Sequence, residues 1–379
     1  MKKLSTLLLV LCAFSTHAQT YFPDADWQTK NPEELKMNKA ILDSAVALAL
    51  RSENKVERDL RIANMKSYSR EPGYKMIGPM KERGGPAGLV IKNGYIVAQW
   101  GDANRVDMTF SVTKSYLSTV AGLAVDNGLI KNVHDKVGQY VWGELFEGPH
   151  NSKVTWDHLL TQSSDWSGSL FGLDDWADRP PRDGTIDDWK NRKLLEPGTN
   201  YEYNDVRVNL LSYSLLQVWR KPLPVVFKEK ILDPIGASTT WRWFGYENSF
   251  VTIDGLNVQS VSGGGHHGGG IFINTYDHAR FGLLFLRNGK WKNQQLISEK
   301  WITAVQQPSA ANKGYGYLWW LNTEQSWKGI SPKVYYAVGY GGNYIIIDKD
   351  HDLVVVTRWM DDSKIADVLR LIIQSVEVK

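Results

Sequence analysis

Ser111 and Lys114 are the two residues of this sequence best placed to do chemistry together. They open a stretch in which apolar residues recur at Leu117, Val120, Ala121, Ala124 and Val125. That is a helical period, and Asn127-Gly128 supplies its stop. Residues three apart share a helix face, so the amine can reach the hydroxyl. A first-turn hydroxyl also meets the positive end of the helix dipole, which favours a developing alkoxide. Removing the lysine from water would disfavour its charged form, and a neutral amine could then take the serine proton. The plainer alternative is an ordinary helix start, with Ser111 as N-cap and Lys114 as a solvated charge. Ser-x-x-Lys is short enough to recur by chance, so the elements around it must decide.

Those elements follow a clear order. Pro32 to about Arg51 reads as a helix, with Ala40, Ile41, Ala45, Leu48 and Ala49 on one side. Gly84-Gly85-Pro86 is a break. A hairpin follows, Leu89 to Lys92 and Tyr95 to Trp100 around Asn93-Gly94, a pair that accepts the positive φ angles of a tight turn. The Ser111 helix comes next. From about Leu129 to Gly255 the pattern is short helices and loops, including Trp156 to Leu160 capped by Thr155 and Val208 to Val218. Ser262 to Gly270 is glycine-rich and leads to a helix at Asp277 to Leu286. The C-terminal part reads as strands at Gly316–Trp320, Val334–Val338, Asn343–Ile347 and Leu353–Trp359, with a turn at Asp348 to Asp352. A closing helix covers about Ser363 to Val376. Strands at both ends and helices between them predict an antiparallel sheet built from both termini, with a mostly helical region inserted.

Bulk properties narrow the function classes. The 379 residues are 42% hydrophobic and 22% charged, an ordinary globular composition. A net charge of +3 gives no argument for nucleic acid or an anionic membrane as partner. Lys2-Lys3, the apolar stretch Leu4 to Phe14 and the small residues near Ala18 read as an export leader cut after Ala18. Its loss leaves 42 basic against 41 acidic residues. The sole cysteine, Cys12, lies in the leader, so the mature chain has no thiol for a disulfide, a nucleophile or a metal. No other run is long and apolar enough to span a bilayer. The expectation is a periplasmic or secreted protein acting on a small-molecule or peptide substrate, without a cofactor, a metal or a nucleic-acid partner.

With these elements in place, the chain resembles the serine hydrolase superfamily of class C β-lactamases, penicillin-binding proteins and related esterases. The resemblance runs over roughly 86–357. It is carried by Phe110-Ser111-Val112-Thr113-Lys114, Leu159-Leu160-Thr161-Gln162-Ser163-Ser164, and Pro197-Gly198-Thr199-Asn200-Tyr201-Glu202-Tyr203-Asn204-Asp205. Gly268-Gly269-Gly270-Ile271 with Asp277 and Ala279-Arg280-Phe281, and Gly339-Tyr340-Gly341-Gly342-Asn343, complete it. The resemblance implies an α+β fold of the β-lactamase/transpeptidase type, an antiparallel sheet flanked by helices with a helical subdomain. The chain would divide into a leader over 1–18, a sheet domain over 19–127 and 256–379, and a helical subdomain over 128–255. It implies Ser111 as acylated nucleophile, Lys114 as its proton partner, and Tyr203 as the acid–base group that serves the leaving group. A lysine ammonium near the tyrosine would favour its phenolate, so the two can share one proton. The oxyanion donors would be the backbone N–H groups of Ser111 and Tyr340. Tyr201 competes with Tyr203, which keeps the family distance from Pro197-Gly198.

Two departures count against a β-lactamase. Asp205 stands where the family has Asn, and Ala337 where it has Lys or His, so the cation that would hold a substrate carboxylate is missing. Both favour an esterase or amidase, with β-lactamase, D-amino-acid peptidase and an idle ligand-binding protein as alternatives. Asp205, His266, His267 and Gly339 are candidates for lining the substrate cleft. His266-His267 can equally be a packed or exposed loop pair, and adjacent histidines lack the spacing of a helical metal site. Trp142, Trp156, Trp166, Trp176 and Trp189 could line an acyl pocket, although core packing is their default. The acidic run from Asp174-Asp175 to Asp188 reads as a solvated lid.

Overall fold

The computed structural model describes residues 21–376, so the leader and Cys12 lie outside the described part. A six-stranded antiparallel sheet is its centre. Two strands come from the N-terminal part, β1 (Ala87–Lys92) and β2 (Tyr95–Trp100). A short strand β3 (Asp107–Met108) belongs elsewhere, to a second sheet with β4 (Arg242–Ile253), β5 (Leu256–Val261) and β6 (Gly270–Ile273). The remaining strands of the central sheet are β7 (Trp320–Leu321), β8 (Tyr335–Gly339), β9 (Asn343–Asp348) and β10 (Leu353–Arg358). Their order is β7-β8-β9-β10-β1-β2, which joins both ends of the chain as expected. Val90 faces Val355 and Ile91 faces Val354 across the seam. The hairpin turn has φ of 52° at Asn93 and 91° at Gly94.

Alternation along the strands sorts the core into two layers. Val90, Val355, Ile346 and Leu353 pack with α1 (Lys39–Arg51) and α7 (Ile365–Ser375). Leu89, Ile91, Ile345, Val354 and Val356 face α3 (Val112–Asp126), α5 (Asp205–Trp219) and α6 (Thr275–Leu286). Two shorter helices matter to the site, α2 (Leu60–Tyr68) and α4 (Trp156–Leu160). Both α1 and α7 bury one stripe only, whereas every residue of α3 from Val112 to Ala124 is buried. So α3 is a central helix and not the amphipathic one its period predicted. Among its buried polar residues, Ser115 Oγ donates to Leu318 O at 2.8 Å.

Other expectations need correction. The Pro32–Arg51 helix is broken: a 3-10 turn covers Pro32–Leu35, Lys36 takes a φ of 58°, and Asn38 caps a fresh helix. The region read as short helices and loops contains β4. That strand exposes alternate residues and is irregular between Gly245 and Phe250, which hides its period. Asp254-Gly255, with φ of 51° and 80°, was the available hairpin signal. Gly316 to Leu318 is not strand; only Trp320–Leu321 pairs there in the central sheet. The acidic run is not simply solvated either, because Asp175 and Asp178 are buried in ion pairs.

Candidate active site

The first turn of α3 is held by a tight approach of two backbones. Phe110 takes a φ of 47°, turning the chain from β3 into the helix. The glycine-rich loop lies against this turn: Lys114 Nζ is 3.4 Å from Gly263 O, and Ile271 N donates to Thr113 Oγ1 at 3.0 Å. A Cβ on Gly264 would fall 2.1 Å from Phe110 O, and its φ of 77° adds a second reason for glycine. Ser111 stands at the N-cap but its side chain caps nothing. Instead Lys114 Nζ donates to Ser111 Oγ at 2.8 Å. Lys114 is 2% exposed, so it is no solvated charge.

Tyr203 joins them from the segment before α5. Gln162 grips its neighbours on both sides: Glu202 N donates to Gln162 O and Asn204 N to Gln162 Oε1, each at 2.9 Å. The ring centre of Tyr203 lies 5.0 Å from Lys114 Nζ and 5.2 Å from the Arg179 guanidinium carbon, and the ring stacks on Trp320. Tyr201 packs on Tyr315 with its hydroxyl buried and without a partner, and burial pushes its pKa up. The tyrosine ring beside Lys114 is therefore that of Tyr203.

Asp205 does not line the cleft. It is 1% exposed, and its Oδ1 lies 2.7 Å from Lys114 Nζ. Arg179 donates to its Oδ2 at 2.7 Å, and His266 Nδ1 lies 3.3 Å from the same oxygen. His266 also meets Glu71 at 3.2 Å and Asp178 at 3.5 Å, and stacks on Tyr68. Burial alone would lower the Lys114 pKa, but attraction to Asp205 and Tyr203 outweighs it and the pKa lies above the ordinary lysine value. Burial likewise opposes the Asp205 carboxylate, but Arg179, Lys114 and His266 hold its pKa well below the usual range. The facing carboxylate thus favours the ammonium form of Lys114, against the neutral amine that burial alone would favour.

Ser111 opens onto a cleft of about 250 Å³ walled by Tyr68, Phe110, Tyr203, His266, Trp320 and Tyr340. Gly339 and Val338 complete its strand edge, and Gly339 and His266 both line it. His267 does not: it is buried behind, with Nδ1 3.1 Å from Lys75 O. A Cβ on Gly339 would meet Thr109 O at 2.2 Å and Ser111 N at 3.1 Å, so glycine lets β8 abut the start of α3. The Ser111 and Tyr340 N–H groups make no bond to a backbone carbonyl among the described residues. Ala337 is buried in β8 and offers no charge to the cleft. Of the five tryptophans considered, Trp156 and Trp166 are core and Trp142 is 90% exposed; none is in the cleft wall, where Trp320 stands. A larger hollow of about 720 Å³, lined by Tyr21, Asp24, Tyr95, Arg287 and Lys292 among others, has no serine.

Sequence reasoning missed Tyr68, Glu71 and Arg179. The first two precede the stretch that carries the resemblance, and an arginine in an Asp- and Pro-rich loop gives no sign of its destination. Asp178, His266 and His267 bring potential ligand atoms within 4.8 Å of one another. They do not suit a cation, because His266 already faces three carboxylates and Lys114 and Arg179 supply the compensating charge.

Solved structures share this architecture at low identity. The β-lactamase/D-alanine carboxypeptidase of Pseudomonas syringae is 13% identical with a TM-score of 0.57, over 89% of this chain and 99% of that one. The hydrolase EstCE1, described as having promiscuous acyltransferase activity, is 15% identical with a TM-score of 0.57, over 89% and 98%. A β-lactamase of Mycobacterium bovis is 17% identical with a TM-score of 0.54, over 83% and 100%. No curated protein matches the sequence. The family model described as beta-lactamase matches residues 75–368, and with that span this chain belongs to the beta-lactamase family.

Proposed function

We propose that this protein is an exported serine hydrolase that cleaves an ester or amide through an acyl-enzyme on Ser111, with esters as the leading substrates. The observation that carries the reading is the contact of 2.8 Å between Lys114 Nζ and Ser111 Oγ beside the Tyr203 ring. In the reactive form the Lys114 ammonium stabilises the Ser111 oxygen while the Tyr203 phenolate takes its proton. The serine oxygen bonds to the substrate carbonyl carbon, and the N–H groups of Ser111 and Tyr340 receive the developing oxyanion. Tyr203 then returns the proton to the leaving group as its bond to the carbonyl carbon breaks. Water repeats the sequence to release the acid and free Ser111.

The cations of the cleft lining, Arg179 and His266, already face carboxylates, which favours an uncharged acyl group. Ala337 provides no cation, and the guanidinium of Arg179 is already engaged by Asp178 and Asp205. A substrate carboxylate therefore lacks the cation that the resembling β-lactamases carry at the position of Ala337, and the other cations of the cleft are already paired. A burst of p-nitrophenol from a p-nitrophenyl ester, equal to the enzyme present, is the expected signature. Ser111→Ala should abolish both the burst and fluorophosphonate labelling, lowering turnover by about 10³-fold or more. An equal burst from that variant would overturn Ser111 as the nucleophile, and no burst from the native chain would leave a binding protein.

A further inference from the structure

The buried end of α5 presents an acid where the resembling family has an amide, and that acid points at the lysine rather than at the cleft. We propose that Asp205 is a positioning residue for the reaction: it fixes Lys114 as a permanent ammonium donor to Ser111 and leaves proton transfer to Tyr203. The inference rests on the hydrolase reading for its catalytic consequence, but its charge assignment is independent of it.

The argument is geometric. Asp205 Oδ1 is 2.7 Å from Lys114 Nζ, and the same nitrogen is 2.8 Å from Ser111 Oγ. Both side chains are almost wholly buried, so water neither screens nor replaces the contact. Asp205 cannot swing away, because Arg179 holds its other oxygen at 2.7 Å and His266 stands 3.3 Å from that oxygen. The charged groups facing the pair come from every element packed around it. Tyr203 and Asp205 flank the start of α5, Asp178 and Arg179 come from the loop before it, His266 from the glycine-rich loop, and Glu71 from the turn after α2. Three carboxylates thus meet Lys114, Arg179 and His266, a set that balances when all three bases are charged. An asparagine at position 205 would keep the shape and a hydrogen-bond acceptor but remove the charge that holds Lys114 protonated.

The test compares the full-length protein with Asp205→Asn and Asp205→Glu. Asp205→Asn installs the residue found in the resembling family. Its kcat for a p-nitrophenyl ester should fall about tenfold or more at neutral pH with little change in KM, and the alkaline limb of its kcat profile should move down by about one pH unit or more. Asp205→Glu should return the limb toward the wild-type position. Carbon NMR of the Lys114 side chain reads the charge directly and needs no turnover. The resonance should stay that of an ammonium through the alkaline range in the native chain and titrate at lower pH in Asp205→Asn. A limb that does not move, or a Lys114 that loses its proton in the native chain at neutral pH, overturns the proposal whatever happens to kcat. If Asp205→Asn fails to fold, the native-chain titration decides alone. Failure of the hydrolase reading shows separately, as undiminished turnover in Ser111→Ala.

Discussion

Two buried ion clusters lie side by side at the start of α5, and they are built from the same chemistry for different ends. In one, Arg207 bonds to Asp165 at 3.1 Å, Asp175 at 3.0 Å and Glu202 at 3.0 Å, and donates to Trp166 O at 2.9 Å. Arg192 reinforces it from the rim, 2.7 Å from Asp165 and 3.0 Å from Asp175. Its cations are guanidiniums, which stay charged at any pH of interest. It ties the 165–202 loop to the helix and touches no reactive group. In the other cluster, two residues earlier on the same helix, Asp205 faces a lysine and a histidine. Those bases can lose a proton, so there the carboxylates determine a protonation state as well as a shape. A buried ion pair is weak evidence for stability in itself, since desolvation offsets much of its attraction. What separates the two clusters is the titratable member and its contact with Ser111.

That contrast can be broken at several points. The largest effect belongs to Arg207→Ala, which leaves two buried acids with only the part-exposed Arg192 and should destabilise the fold by about 3–5 kcal/mol. Chemical denaturation would measure it, and the pH profile of the surviving native enzyme should keep its wild-type shape. A displaced alkaline limb in that variant would merge the two clusters into one functional unit.

The second effect is a pH dependence of stability confined to the Lys114 side. Burial disfavours a charged His266, but Asp205, Glu71 and Asp178 raise its pKa to about 9. A base with a raised folded pKa contributes stability that is fully present below its unfolded value, near 6.5, and lost as pH rises through about 9. Up to about 3 kcal/mol should disappear across that window. Denaturation midpoints taken across it should fall more steeply in the wild type than in His266→Gln. Parallel slopes would mean that His266 is not held charged.

The smallest effect is expected of Arg192→Ala. Its side chain is 25% exposed and Arg207 still serves both acids, so the loss should be about 1 kcal/mol. A loss equal to that of Arg207→Ala would show that rim and centre of the cluster are not distinguishable.

Legibility in the sequence followed the range of the interaction. The hairpin at Asn93-Gly94, the helix after Ser111 and the sheet joining both termini were readable, because turn chemistry and apolar period are written in neighbouring residues. Motif distance favours Tyr203 over Tyr201, and the structure brings the Tyr203 ring within 5.0 Å of Lys114 Nζ. The strand over Arg242–Ile253 escaped because half-exposed alternation with an irregular stretch leaves little period to read. His267 was grouped with His266 by adjacency, yet the backbone sends one ring to the cleft and the other behind it.

The sequence by itself determined that a hydroxyl and an amine share the first turn of one helix, since three residues of helical rise bring them together without help. Only the tertiary structure decided which charge state of that amine is favoured. It depends on a carboxylate from a distant segment and on the exclusion of water around both groups. Neither is written in the residues next to Lys114, because the electrostatic environment of a buried group is set by whatever the fold packs against it.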